Sequence, residues 1–302
     1  MREHGVLHGP HGVRAGWRIV LFLMLAIGFA FLAAMIARVA GLDVASLDVN
    51  AAVVLVAFVA AGWIMLALVD RRPLGALGFA ADPAAARQTA AGFAVGGGMQ
   101  LLTVALLAVA GTARWVADDG TTADYVATLA RALALFAVAA AMEEAVFRGY
   151  FLQALVQGIG VWPAVLVTSA LFSAGHLGNP NVTAISLANI FLAGVWLAVC
   201  YLRTRSLWFA TAAHLAWNWV MSALLDFPVS GLVRDTPLYS ARETGADWWT
   251  GGVFGPEGGL AATAVILAGT LWLLRTRAVG ESPKMRELRP LVDDRLREEW
   301  PR

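Results

Sequence analysis

The feature that most constrains this chain is a succession of apolar stretches, each about as long as a bilayer's hydrocarbon core is thick. A spanning helix needs roughly 20 mainly apolar residues, because inside the bilayer every backbone polar group must be satisfied within the segment. Eight stretches meet that description: 17–37, 50–69, 90–110, 124–157, 161–177, 183–202, 206–225 and 259–274. Charged or Gly/Pro-containing turns separate them, among them Asp70-Arg71-Arg72-Pro73, Gly158 to Pro163, Gly178-Asn179-Pro180 and Arg203-Thr204-Arg205. The expected fold is an all-α, polytopic transmembrane helix bundle of about eight spans.

Composition agrees. The chain has 302 residues, of which 59% are hydrophobic and 14% charged, against about 25% charged in soluble domains. A net charge of +1 supplies no basic field for nucleic acid, so the expected partners are the lipid bilayer and membrane-associated substrates. Cys200 stands alone in an apolar run. It excludes an intrachain disulfide and reads as inert packing. Arg14, Trp17 and Arg18 precede an apolar run, 19–37, that exceeds the roughly 7–15 residues of a signal-peptide core; it is expected to be a retained first span. Gly96-Gly97-Gly98 suggests close helix packing.

Arg2, Arg14, Arg18, Arg71, Arg72, Arg87, Arg203, Arg205, Arg275 and Arg277 fall on one side with the basic residues of the tail. Arg38, Arg114, Arg131, Arg234 and Arg242 fall on the other. The bias puts both termini in the cytoplasm, and the Ala/Gly/Arg-rich composition suggests a bacterial inner membrane. Three segments follow: N-terminal helices (1–120), a core (121–225), and a polar loop, last span and charged tail (226–302). The loop 226–258 reads as polar, with Trp248 and Trp249 dipping to the interface. Part of 281–302 reads as an exposed helix or as disordered.

Ionisable side chains within spans are costly, by about 2.5–3.5 kcal/mol on insertion scales, and imply function. Of the five histidines, His4, His8 and His11 lie in the N-terminal tail, but His176 and His214 fall at or within spans, as do Glu143 and Glu144. Glu144 and Arg148 are spaced i,i+4 with the acid first, the favourable order. Glu143 is rotated about 100° away, which leaves it free to act as a base. His214 and Asn218 also share a helix face, one turn apart. Glu143 and His176 each lie about 16 residues from the turn at 158–160, or about 24 Å along a helix. In a hairpin they reach one depth.

At these residues the chain resembles the CPBP family of intramembrane proteases, which includes CAAX prenyl proteases and bacterial bacteriocin-processing and immunity proteins. The EExxxR motif stands as Glu143-Glu144-Ala145-Val146-Phe147-Arg148, FxxxH as Phe172-Ser173-Ala174-Gly175-His176, and the last as His214-Leu215-Ala216-Trp217-Asn218. The resemblance covers roughly 124–225. It implies an endopeptidase acting on membrane protein or peptide substrates. Glu143 would activate water with His176, and His214 and Asn218 would stabilise the oxyanion. Glu144 and Arg148 would hold the architecture, Glu144 also sharing in catalysis, with Phe172 beside His176. The family is commonly described as metalloproteases, and Glu143, His176 and His214 could hold zinc; a metal-free glutamate mechanism is equally consistent with the residues. The alternative is a non-catalytic transporter, immunity or scaffold protein. A transporter would more often carry inverted repeats, and here the polar residues cluster in the second half. Neither a serine-type nor an aspartyl-type intramembrane motif is present.

Overall fold

The computed structural model describes residues 8–9, 12–233 and 236–300. Arg2, His4, His11 and Arg234 lie outside the described residues. Two short strands, β1 (His8–Gly9) and β2 (Gly12–Val13), pair antiparallel ahead of the bundle. The helices are α1 (Ala15–Val39), α2 (Leu47–Ile64, continued by a π-helical turn Met65–Asp70) and α3 (Pro83–Val109). Strand β3 (Ala113–Ala117) precedes α4 (Thr122–Phe147), α5 (Tyr150–Ile159), α6 (Val161–Ala174), α7 (Ala184–Thr204) and α8 (Leu207–Trp219), the last extended by a π-helical turn Val220–Leu224. Strand β4 (Tyr239–Glu243) leads to α9 (Asp247–Thr250), α10 (Leu260–Arg275), α11 (Pro283–Leu288) and α12 (Asp293–Glu299).

The all-α bundle is therefore observed, and the number of spans is refined. Among the described residues, five stretches are long and apolar enough to cross a membrane: Ala15–Val39, Leu47–Asp70, Pro83–Val109, Thr122–Ile159 and Ala184–Thr204. Val161–Ala174 and Leu260–Arg275 are shorter apolar helices. The first helix presents apolar side chains outward, Ile27 at 67% and Phe31 at 71% exposed, as expected of a surface facing lipid rather than water.

Local sequence explains where helices begin. Asp82 caps α3 by accepting the Ala85 amide at 2.8 Å, with Pro83 at the first helical position, where a missing N–H is harmless. Thr183 and Ser186 form a reciprocal capping box at α7, and the Ser206 side chain caps α8.

The expected close packing at the glycines is found between α3 and α8. A Cβ on Gly96 would stand 1.9 Å from the Ala213 carbonyl oxygen, and one on Gly92 would stand 2.2 Å from that of Phe209. Gly98 faces open space. Gly96→Ala is therefore expected to destabilise the protein by about 1–3 kcal/mol, as overpacking does. Gly98→Ala, which gains helix propensity without a clash, should not. Thermal unfolding of both variants in detergent checks the difference.

Two expectations for the C-terminal third need correction. The loop 226–258 is structured: β4 pairs antiparallel with β3, Trp115 opposite Ala241, and the Asp226 carboxylate accepts the Thr236 and Ala241 amides. Trp248 is 57% exposed, whereas Trp249 packs against the core. The charged tail is docked rather than loose. Leu288, Leu291, Val292 and Leu296 are buried, and Glu299 accepts the Val161 amide at 2.7 Å. Arg205 pairs with Asp293 at 3.0 Å, where burial pushes the Asp293 carboxyl above its ordinary range despite the guanidinium beside it. An apolar stripe hidden among tail charges is too short to stand out by periodicity. It becomes visible only against its receptor surface.

Candidate active site

The site begins where α4 breaks. The continuous helix expected over 124–157 is interrupted at Arg148-Gly149. Arg148 takes φ −114°, and Gly149, at ψ −132°, leaves helical geometry. The Arg148 side chain turns inward, where its Nη1 donates to Glu144 Oε1 at 3.0 Å and its Nη2 to the Gly194 carbonyl at 3.0 Å. Both partners of this i,i+4 pair are 0% exposed. Glu144 Oε1 also lies 3.0 Å from His214 Nδ1. One carboxylate thus joins the end of α4 to α7, through Arg148, and to α8.

Glu143 faces elsewhere, as its rotation around the helix requires. It lines a cavity of about 470 Å³ together with His176, His214, Asn218 and Phe172. Glu143 Oε2 is buried without a hydrogen-bond partner among the described residues and stands 3.8 Å from His214 Nε2. The two histidines are held alike. His176 Nδ1 is 2.8 Å from the Phe172 carbonyl. A carbonyl only accepts, so Nδ1 carries the proton and Nε2 is left for other partners. His214 commits Nδ1 to Glu144 in the same way, which turns Nε2 toward Glu143. Phe172 is the shared wall: its ring centroid lies 4.9 Å from that of His176 and 6.0 Å from that of His214. The Arg148 guanidinium sits 4.4 Å from the same centroid, a cation–π distance.

The cavity therefore gathers Glu143, His176, His214 and Asn218, while Glu144 and Arg148 lie behind it. The expected equal depth rested on a straight helix. The convergence arises instead from the break at Arg148 and from the turn after α6 that carries His176. Sequence reasoning missed Asn179, Ser230 and Glu257 and gave Trp217 no part in the site; all four line the cavity. Glu257 is 8% exposed. It accepts from Ser230 Oγ at 2.5 Å and from Trp217 Nε1 at 3.3 Å, while its backbone carbonyl accepts from Asn189 at 2.8 Å. An acid in a Gly/Pro-rich loop carries no periodicity that could have flagged it.

A catalytic zinc needs three protein ligands converging at about 2.0–2.2 Å and an open position. Among the described residues no three His, Cys, Asp or Glu side chains are grouped to hold a metal ion. The donors Glu143, His176 and His214 do not compose that shell in this arrangement.

Fold and site together define a multi-pass membrane protein with a buried acid–histidine centre opening to a cavity. Residues 125–220 match the family described as Rce1-like, Type II CAAX prenyl endopeptidase. The match covers about a third of the chain, includes every motif residue from Glu143 to Asn218, and ends before the loop bearing Glu257. It supports a CPBP family intramembrane protease and, in general, a CAAX-type endopeptidase. Comparison with curated proteins and with solved structures gives no match.

Proposed function

We propose that the chain hydrolyses peptide bonds of membrane-associated proteins or peptides, with water activated by Glu143. The observation that carries this reading is the unpartnered Glu143 Oε2 inside the cavity, beside His214 Nε2. In the proposed reaction Glu143 takes a proton from water, which His176 Nε2 helps to place, and the hydroxide attacks the scissile carbonyl. The oxyanion is met by His214 and the Asn218 amide. Because His214 Nδ1 is committed to Glu144, the ring can donate from Nε2 only when doubly protonated; Glu144 then faces an imidazolium and positions it. Glu143 returns the proton to the leaving amine. No step is routed through a metal, since the donor grouping does not fit one.

The CAAX-type family description suggests lipid-anchored protein tails as one substrate class, and maturation or turnover of other membrane proteins as another. Comparing membrane proteomes of cells carrying the wild-type chain and Glu143→Ala tests the proposal. A precursor that accumulates uncut in the variant is expected. Identical proteomes would favour the transporter, immunity or scaffold reading.

A further inference from the structure

The cavity wall has a charge asymmetry that the reaction does not use. Among the described residues its lining includes two carboxylates, Glu143 and Glu257, and no lysine or arginine. Arg148, the nearest cation in the motifs, is spent on Glu144 and Gly194 behind Phe172. Glu257 differs from Glu144 in this respect. It is nearly as buried, yet its side chain receives hydrogen bonds only from two neutral donors, Ser230 and Trp217. No ion pair to it is formed among the described residues. Each carboxylate oxygen can accept twice, so capacity for a further donor remains.

The loop is also held firmly. The Asn189 amide donates to the backbone carbonyls of both Glu257 and Gly259, and a Cβ on Gly255 would meet the Pro228 carbonyl oxygen at 2.0 Å. The carboxylate is therefore placed by rigid neighbours. Glu257 lines the same cavity as the proposed oxyanion donors His214 and Asn218.

Resting on the proposed proteolytic reading, we infer that Glu257 is a specificity-determining residue, forming a subsite for a positively charged group, a lysine or arginine side chain, close to the scissile bond. A buried, preorganised carboxylate without a countercharge favours a cationic ligand and rejects an anionic one. A substrate's free C-terminal carboxylate would meet two like charges here and no lysine or arginine, the His214 ring being already held by Glu144. The preferred substrate is thus an internal peptide bond next to a basic residue, rather than a bond read from the C-terminal carboxylate.

Binding tests this apart from catalysis. Full-length protein in detergent is titrated with non-hydrolysable ketomethylene analogues of an apolar peptide, bearing Lys, Gln or Glu at successive positions around the isostere. At one position Lys should bind about tenfold or more tighter than Gln, and Glu more weakly still. In Glu257→Gln the Lys-to-Gln ratio should collapse toward one, and Glu257→Asp should restore part of it. A purely structural Glu257 would weaken all peptides alike and leave the ratio intact, which overturns the inference, as does the absence of any basic preference in wild type. Intact charge selectivity with no cleavage of the corresponding amide peptides would overturn the proteolytic reading alone.

Discussion

Glu143→Gln is expected to lower kcat by about 10²–10⁴-fold, the range that a positioned general base contributes, while substrate binding and thermal unfolding stay near wild type. The reasoning is local. The amide keeps the volume of the carboxylate but cannot take a proton from water. Glu143 Oε2 makes no hydrogen bond among the described residues, and the His214 ring stays anchored through Nδ1 to Glu144, so the substitution leaves the surrounding network intact. Single-turnover cleavage by purified protein, paired with a melting curve, checks both halves. Wild-type turnover in the variant would remove Glu143 from the reaction. Metal content and chelator sensitivity on the same preparation separate a glutamate-type from a metal-dependent hydrolysis, and the glutamate type predicts cleavage that survives chelation.

Arg148→Leu is expected to be the most damaging single change to folding. It takes the guanidinium from the Glu144 carboxylate, which is 0% exposed and keeps only its bond to His214 among the described residues. Breaking a buried pair by removing one partner costs about 3–5 kcal/mol, a large share of the roughly 5–15 kcal/mol that holds a typical domain folded. The Phe172 ring also loses the guanidinium packed on its face. The double variant Glu144→Gln with Arg148→Leu removes the stranded charge and should recover part of the loss in a detergent melt. It should recover little activity, because an amide at Glu144 no longer supports a doubly protonated His214. A single variant that melts with wild type would show that the pair contributes nothing to the fold.

The two predictions separate residues that are neighbours in the chain, and the sequence already hinted at that separation. Glu144 and Arg148 are one turn apart, Glu143 is a third of a turn aside, and His214 and Asn218 share a face; helical periodicity makes those statements without any tertiary information. The placement of Glu144 behind the cavity, and the bond from its oxygen to His214, depend on the distance between α4 and α8. That distance is set by the direct packing of α8 on α4, with α3 held against the α8 backbone through Gly92 and Gly96. The glycine run pointed to close packing, but its partner helix was not legible.

Sequence alone determined the environment and singled out the candidate chemical groups. Apolar stretches of spanning length have few alternatives to a helix bundle in lipid, and charged groups inside them are too costly to be incidental. Tertiary structure decided what those groups can reach. It broke the fourth span at Arg148, docked the tail through Arg205 on Asp293, the Gln157 amide donating to Asp294, and the N-terminus of α6, and folded the described part of 226–258 so that Glu257 lines the same cavity as Glu143. These outcomes rest on contacts between residues distant in the chain, such as Glu257 with Trp217 and Asn189, whose energies depend on geometry rather than spacing. Neither a period of 3.6 nor a hydropathy window registers them.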